Sequence, residues 1–494
     1  MPEFSGPPTF GTTYLGIDIG TSVAKAALFD ELGNVVAVAT SLLELSYPGP
    51  GQVEQDPDAV IRGVAEVIAA IRRESGGDVP RVVAVTGQGD GVWLLDANGH
   101  PVRPAISWMD GRAGGLLSHW EAEGIAEKVF RINGNALFSG AQAPILRWLD
   151  EHEPASLARA TTSGFCKDMV FQRLTGVRAT DSSDASLPFA DASGADYSDE
   201  VLAATGLTHR RELLAPIVRP LPTGQVSAEG AREFGLPEGT TVVAGPFDLP
   251  ACALGGGVSE LGEGLLTVGT TLACQVLIGE VDTAGNPSGM TLATPTEGRW
   301  LRAMPAMVGC ASLDWVLALL GLRHAQLDEA VNGTPPGANG VEMLPYLAPS
   351  GERAPFVDSR ARGQYSGMRL TTTREDLVRA TCESLAYAAK DCFEAAGLAG
   401  RLLVCGGGAR SVPWLRIFAS VLGRPLYVAR SPEVGARGAV LAALGAIDIP
   451  HDVHAWTHPE AVIEPQLDTL DIYQDGYARY LRHKQSAQSL WRAS

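Results

Sequence analysis

The sequence predicts an α/β fold made of two related domains, and three observations support this prediction. Three short apolar strands separated by tight turns open the chain at residues 13–45. An amphipathic helix then leads to a fourth apolar strand, VVAVTG, at 82–87. A Gly-Thr turn between two strands occurs at 16–22 and again within 264–277. Three strands, a helix and a strand form the order of a ribonuclease-H-like domain, so we expect two such domains with a cleft between them.

The composition is that of a well-packed globular protein. Hydrophobic residues make up 45% and charged residues 19% of the 494 residues, which is enough apolar material for more than one core. The 57 glycines include short runs beside strands, as in tight turns and nucleotide-binding loops. A net charge of −18 disfavours non-specific binding to nucleic acids or anionic membranes, because both require a basic surface.

The cysteines and the apolar runs predict a location. The seven cysteines are scattered, odd in number and without a C-x-x-C pair, which is typical of free thiols in a reducing compartment. No apolar run approaches the roughly eighteen residues of a membrane span, and the first residues do not form a secretory leader. We therefore expect a cytoplasmic protein without a membrane partner, whose Pro- and Gly-rich residues 1–12 form a disordered tail.

The elements of the first domain follow in order. Strands at 13–19, 23–30 and 35–45, joined by tight turns, predict an antiparallel meander. Asp56 and Pro57 then supply an N-cap and a first helical residue. Apolar residues recur behind them at helical spacing, at Val60, Ile61, Val64, Val67, Ile68 and Ile71.

The first turn, GIDIGTS, is a candidate phosphate and metal site. Asp18 stands at a strand end, directly before a bend formed by Gly20, Thr21 and Ser22. Free N–H groups and hydroxyls in such a bend can surround a phosphate, Lys25 lies on the next strand, and the carboxylate can hold a metal ion. The alternative is that Asp-x-Gly serves turn geometry alone.

The second turn repeats the first without its carboxylate. In GLLTVGTTLACQVL, Gly269 and Thr270 stand between two apolar strands, as Gly20 and Thr21 do. Two such hairpins facing each other across a cleft could clamp a polyphosphate from both sides. The alternative is the coincidence of a common turn.

Asp248 is the candidate general base. The apolar strand 241–244 delivers this carboxylate into a Gly-flanked bend before the Ala-rich helix 249–255. A strand end holds a side chain more firmly than a mobile loop does. The alternative is that Asp248 only caps the helix.

The segment TGQGDGVWLLD at 86–96 is a candidate substrate site. Gln88 and Asp90 stand among glycines at a strand end, and Trp108 could add an aromatic surface. Ligands rich in hydroxyl groups need such fixed acceptors and amides. The alternatives are that Asp90 is a turn residue and that Trp108 belongs to the core.

These motifs resemble those of the FGGY carbohydrate kinases, a family of the actin, hexokinase and heat-shock ATPase superfamily. The resemblance covers most of 13–447. Besides the two hairpins, it rests on three further motifs in the family's order, at 84–113, 346–368 and 404–428. It implies two actin-like ATPase domains, at 13–256 and 257–494, with a catalytic cleft between them.

The resemblance also implies an activity and its residues. ATP would phosphorylate a terminal hydroxyl of a small polyol or ketose, with Asp248 as the base and Asp18 holding Mg²⁺. The remaining positions that it assigns to the nucleotide are Gly309, Asp314, Gly407, Gly408 and Ala409. A homodimer is left open.

The substrate prediction comes from a subgroup. The segments GTSVAK, VEQD and VTGQGDGVWLLD are most similar to those of erythritol kinases, whereas QGDG at 88–91 departs from the pentulose and glycerol kinase patterns. Pentulose kinases of the xylulose or ribulose type and glycerol kinases remain alternatives. A nucleotide-dependent sugar sensor or ATPase switch without phosphoryl transfer is the alternative from another class.

Overall fold

The structure is a computed structural model that describes residues 11–187, 189–430 and 433–493. Residues 1–10 of the predicted tail therefore lie outside the described residues, while Gly11 and Thr12 form a bend before the first strand. Two large mixed β-sheets, one from each half of the chain, organise the rest.

The first sheet has the strand order β5-β6-β4-β1-β2-β3. The strands β1, β2 and β3 form the predicted antiparallel meander, and β1, β4 and β6 are parallel neighbours. Asp56 caps the following helix by accepting from the Asp58 N–H at 3.0 Å. The bounds are β1 Tyr14–Ile19, β2 Val23–Phe29, β3 Val35–Leu42, α1 Pro57–Glu74, β4 Val82–Gly87, β5 Thr223–Gln225 and β6 Thr241–Ala244.

The second sheet has the order β9-β10-β8-β7-β11-β12-β13. Its antiparallel strands β7, β8 and β10 and its parallel strands β7, β11 and β12 repeat the plan of the first sheet. The predicted repetition of the fold is therefore confirmed. The bounds are β7 Gly264–Val268, β8 Leu272–Ile278, β9 Met290–Ala293, β10 Trp300–Ala306, β11 Leu402–Cys405, β12 Leu426–Val428 and β13 Ala461–Ile463.

Helices cover both sheets. Helix α1 packs on the first sheet, and five helices of the second half contribute to the core on the second. None of the helices in the described ranges is both long enough and apolar enough to span a bilayer. The labelled helices after α1 are α2 Asp248–Gly256, α3 Cys310–Leu319, α4 Arg374–Ala396, α5 Val412–Leu422, α6 Val434–Ala446 and α7 Leu470–Ala493. Other helices are Gly114–Ala122, Ile125–Asn133, Gln142–His152, Pro154–Arg159, Cys166–Thr175, Ser182–Ala185, Asp199–Ala204, Ala228–Phe234, Leu327–Gly333 and Val453–Thr457.

Helices α2 and α6 cross between the two halves. Helix α6 packs on the first sheet although it lies in the second half of the sequence, and α2 packs against the second sheet. They touch backbone to backbone, because a Cβ on Gly438 would lie 1.7 Å from the Ala251 carbonyl oxygen and one on Gly255 1.9 Å from that of Val434. Gly438 of α6 and Gly255 of α2 therefore allow the two helices to pack closely.

Candidate active site

Three carboxylates predicted from sequence meet at one edge of the first sheet. Asp18 lies on β1, Asp90 follows β4, and Asp248 follows β6. Because these strands are parallel neighbours, their carboxyl ends share an edge, which is where α/β sheets bind ligands. The sheet therefore brings together residues that are up to 230 positions apart.

Asp248 is half-buried at the start of α2. The helix begins at Asp248 itself and has no side-chain capping bond, so the structure does not support the capping alternative. Burial raises the pKa of Asp248 well above its usual value, and the charge of Asp18 raises it further. The Leu249 N–H opposes this shift, and Asp90 adds to it. A carboxylate in these surroundings is a stronger base than one in water.

Two hydroxyl groups hold the backbone before Asp248. Thr86 Oγ1 donates to the Pro246 carbonyl at 2.6 Å, and Ser183 Oγ accepts from the Phe247 N–H at 2.8 Å. Both hydrogen bonds are buried, where they are costly to break. The position of Asp248 is therefore fixed from two directions.

Ser183 is in turn anchored to a buried ion cluster. Its hydroxyl donates to Asp181 at 2.5 Å. Lys167 Nζ lies 2.8 Å from Asp168 and 2.9 Å from both Asp181 and Asp184. Sequence reading missed this cluster, although a Lys-Asp pair near TDSSD was a signal for it.

Asp18 lies against the start of α6 and near two side chains of opposite charge. It is half-buried, and burial raises its pKa to about 6; Lys25 lowers this pKa and Glu433 raises it. A Cβ on Gly435 would lie 2.2 Å from Asp18 Oδ2, so only glycine leaves room there. Lys25 Nζ lies 3.7 Å from Glu433, so this predicted phosphate ligand already has an anionic neighbour.

The first hairpin joins the predicted phosphate and substrate residues. The Gly20 N–H donates to Val23, closing the turn, and Ser22 is exposed. Thr21 Oγ1 donates to Gln88 Oε1 at 3.0 Å and accepts from Trp108 Nε1 at 2.9 Å.

Gln88 makes two hydrogen bonds within the protein. Its Nε2 donates to Gln55 Oε1 at 2.8 Å, and its Oε1 already accepts from Thr21. Gln88 is buried, so it holds Thr21 in place in this structure. Trp108 is half-buried beside the cleft, which speaks against the core alternative.

Asp90 occupies a constrained position. Its φ of 55° places it in the left-handed region, and it is 4% exposed. A Cβ on Gly89 would lie 2.5 Å from the Phe247 ring, so this strand end packs on the segment before Asp248. Burial raises the pKa of Asp90 to about 7 against the lowering effect of Arg353. Its buried Oδ1 has no hydrogen-bond partner in the described part of the chain.

The second hairpin is seated on α3. The N–H groups of Cys310 and Ala311 donate to the carbonyls of Gly269 and Thr270, at 2.9 and 3.1 Å. A Cβ on Gly309 would lie 2.5 Å from the Thr271 Cα, so Gly309 allows this close approach. The first N–H groups of α3 therefore support the hairpin.

The glycine turn after β11 lies where the sequence predicted it. Gly407 begins a short 3₁₀ turn, Gly407–Arg410, that includes Ala409, and α5 follows from Val412. A Cβ on Gly408 would lie 2.3 Å from the Val268 side chain, whereas one on Gly407 would meet open space.

Asp314, also predicted at the nucleotide, lies apart from the carboxylates at the sheet edge. Its side chain is 53% exposed on α3 and lies 2.9 Å from His324.

A cleft of about 1690 Å³ separates the two halves. Thr21, Ser22 and Trp108 line it from the first half, and Thr270 lines it from the second. Within the described ranges, no group of three or more His, Cys, Asp or Glu side chains could hold a metal ion.

Both halves match family models that together cover most of the chain. Residues 13–255 match the N-terminal domain of the FGGY family of carbohydrate kinases, and residues 265–447 match its C-terminal domain. The chain belongs to the FGGY family of carbohydrate kinases.

Relatives of this FGGY kinase include enzymes with different substrates. It is 31% identical to an erythritol kinase of Brucella abortus (strain 2308), over 97% of each chain. It is 33% identical to a xylulose kinase of Escherichia coli (strain K12), over 85% of this chain and 87% of the other. The crystal structure of a xylulose kinase from Rhodospirillum rubrum matches with a TM-score of 0.85 and 29% identity, over 97% of this chain and all of that one. The two-domain, actin-like α/β fold is therefore confirmed.

Sequence reading of this FGGY kinase missed Arg353. It lies within the motif at 346–368 and lines the cleft from the second half. Its guanidinium carbon lies 5.3 Å from the Trp108 ring centroid and 5.1 Å from that of Phe138. The charged residue between glycines and prolines in GERAP was the available signal.

Proposed function

We propose that this FGGY kinase transfers a phosphoryl group from ATP to a terminal hydroxyl of a small polyol or ketose, with an erythritol-like tetritol as the first candidate. The observation that carries this proposal is the meeting of Asp18, Asp90 and Asp248 at one edge of the first sheet. Three separate carboxylates can serve a metal ion, a hydroxyl-rich substrate and a proton transfer.

Asp248 is the proposed general base. One of its carboxylate oxygens accepts the proton of the attacking hydroxyl as the new bond forms between the substrate oxygen and the γ-phosphorus of ATP. The bond between this phosphorus and the β–γ bridging oxygen breaks at the same time, and ADP leaves. The raised pKa of Asp248 strengthens it as a base, and the two hydroxyl contacts before it keep it in place.

Asp18 is the proposed magnesium ligand. It supplies carboxylate oxygens, which Mg²⁺ prefers, and Gly435 leaves room beside them. Bound Mg²⁺ would neutralise charge on the ATP phosphates. One protein carboxylate suits Mg²⁺, since this ion keeps several waters and phosphate oxygens as ligands.

The remaining predicted residues keep their proposed roles. We assign phosphate contacts to the two hairpins, through Gly20, Thr21, Ser22, Lys25, Gly269 and Thr270. We assign the nucleoside side to Gly309, Asp314, Gly407, Gly408 and Ala409, and substrate contacts to Gln88, Asp90 and Trp108. The division into domains at 13–256 and 257–494 and a cytoplasmic location belong to the same proposal, and seven free cysteines support that location.

The substrate proposal rests on Asp90 and on the relatives. The erythritol kinase and the xylulose kinase are similar to this chain to nearly the same degree, so a pentulose remains the second candidate. Asp90 suits a short polyol or a ketose, because its open oxygen can accept hydrogen bonds from substrate hydroxyl groups. The similarity of the surrounding segments to erythritol kinases puts the tetritol first.

A coupled assay of ADP formation over tetritols, pentitols, pentuloses and glycerol tests the proposal. We expect one neutral substrate of four or five carbons to stimulate ADP formation far above the basal rate. Basal ATP hydrolysis that no member of the panel stimulates would favour the sensor or switch alternative.

A further inference from the structure

We infer that Arg353 is a substrate-binding residue supplied by the second half, and that with Asp90 it selects a neutral diol over a charged sugar. This inference rests on the proposed function. Arg353 has no role in the proposed function.

Arg353 reaches across the cleft from a loop. The loop connects the short strands Glu342–Leu344 and Gln364–Ser366 of the second half. Its guanidinium lies over the rings of Trp108 and Phe138, which belong to the first half. A guanidinium that faces two aromatic rings is held by cation–π attraction and by stacking.

The backbone around Arg353 is fixed by a buried carboxylate. Glu352 Oε1 accepts from the N–H groups of Met307, Arg353 and Ala354, at 2.7, 2.9 and 3.3 Å. Arg353 Nε donates to the Pro305 carbonyl at 2.8 Å, which leaves both Nη groups for other contacts. The guanidinium is therefore presented in one orientation, as a binding site requires.

Asp90 and Arg353 have complementary open positions. Neither Arg353 Nη group donates a hydrogen bond to a residue that the structure describes. The buried Oδ1 of Asp90 also has no hydrogen-bond partner among the described residues. The two groups attract each other electrostatically, since each opposes the effect of burial on the other's pKa. One group is an acceptor and the other a donor.

A hydroxyl group satisfies both positions, because it can donate to a carboxylate and accept from a guanidinium. Two adjacent hydroxyls of a neutral polyol or ketose would fill the pair. A carboxylate or an ammonium group of a charged sugar could satisfy only one of the two positions, because it would be attracted by one of these side chains and repelled by the other. The pair therefore favours a neutral diol.

The test compares Arg353→Met and Arg353→Lys with Arg362→Met. Arg362 is an exposed arginine of the same loop, and its Nη1 donates only to the carbonyls of Ser359 and Ala361. We expect Arg353→Met to raise the KM of the best neutral substrate about tenfold or more, with the KM of ATP within about twofold of wild type. Arg353→Lys should fall between, and Arg362→Met should match wild type.

A second arm uses the aldonate of the same carbon number as the best polyol. Wild type should prefer the polyol by about a hundredfold in kcat/KM, and Asp90→Asn should reduce this preference. Calorimetric titration of each folded variant with the polyol in the presence of ADP measures affinity apart from turnover.

The outcomes separate the inference from the proposed function. If wild type phosphorylates a polyol and both Arg353 variants keep its KM and affinity, the inference is wrong and the function stands. Equal use of polyol and aldonate by wild type would also overturn the inference. If wild type phosphorylates no member of the panel, the proposed function itself fails. Should Arg353→Met not fold, Arg353→Lys alone decides.

Discussion

The two halves of the molecule share one strand order and differ in what stands at the strand ends. The first hairpin carries Asp18 two residues before the glycine of its turn. The second hairpin carries Thr267 at the same position, and the Thr267 hydroxyl lies 3.5 Å from the Cys405 thiol. In the first half Asp90 follows strand β4, and in the second half a run of glycines beginning at Gly406 follows the corresponding strand β11.

In the proposed function, this difference divides the chemistry between the halves. The first half supplies carboxylates, which suit a metal ion, a base and hydroxyl groups. The second half supplies backbone and small residues, which allow a nucleotide to approach closely. A repeated fold thus carries two different surfaces onto one cleft.

The largest expected effect is that of Asp248→Asn. We expect turnover to fall by roughly 10²–10⁴, since a positioned base is lost, while ATP binding stays nearly unchanged. Steady-state kinetics and nucleotide titration measure the two quantities, with the exposed Asp468→Asn in the second half as a control. Turnover within about threefold of wild type would remove Asp248 from the role of base.

The comparison between hairpins is sharpened by Asp18→Ala and Thr267→Ala. We expect Asp18→Ala to reduce turnover sharply and to raise the Mg²⁺ concentration needed for half-maximal rate, whereas Thr267→Ala should change both only slightly. The measurement is activity against Mg²⁺ concentration. Equal effects of the two substitutions would mean that Asp18 is only a turn residue.

A smaller effect is expected from Ser183→Ala, which removes the acceptor of the Phe247 N–H. Losing one buried hydrogen bond costs about 1–2 kcal/mol, so we expect kcat to fall by about tenfold with both KM values little changed. Ser183→Thr should recover most of the rate. The matched control is Ser182→Ala, because Ser182 Oγ is buried and has no partner among the described residues. The same kcat for both alanine variants would argue against a positioning role.

The last expected effect concerns stability and its dependence on pH, and leaves turnover aside. The raised pKa of Asp90, about 7, means that the folded protein holds a proton that the unfolded chain loses near pH 4. The stabilisation that this bound proton gives to the folded state is fully present below pH 4 and is lost as the pH rises toward 7. Asp90→Asn should therefore lose less stability than wild type between about pH 4 and 7. Urea unfolding of both proteins across this pH range measures the free energy of unfolding. If that free energy changes with pH in the same way for wild type and Asp90→Asn, the Asp90 pKa is not raised.

The predictable parts were those determined by local sequence. The hairpin at Gly20, the cap at Asp56 and the strand before Asp248 follow from turn chemistry and apolar patterns, and the structure has all three. Parallel strand order then explains why Asp18 and Asp248 meet.

The missed parts depend on contacts between distant segments. Arg353 contacts Trp108 of the other half, and no local pattern in the sequence encodes a contact between such distant segments. Helix α6 packs on the first sheet because its glycines fit α2, which its composition alone does not indicate. Asp314 had a role only by resemblance, and in the structure it pairs with His324. The residue roles and the domain boundary at 256 and 257 stay predictions.

Phosphorus NMR of the products tests the central claim most directly, namely that carboxylates of the first half direct transfer to a substrate hydroxyl. Wild-type protein, ATP, Mg²⁺ and the best neutral substrate of the panel are incubated until ADP has formed. We expect one phosphomonoester of that substrate for each ADP with wild-type protein, and neither product in quantity with Asp248→Asn. ADP accompanied by inorganic phosphate instead of a phosphomonoester would contradict it.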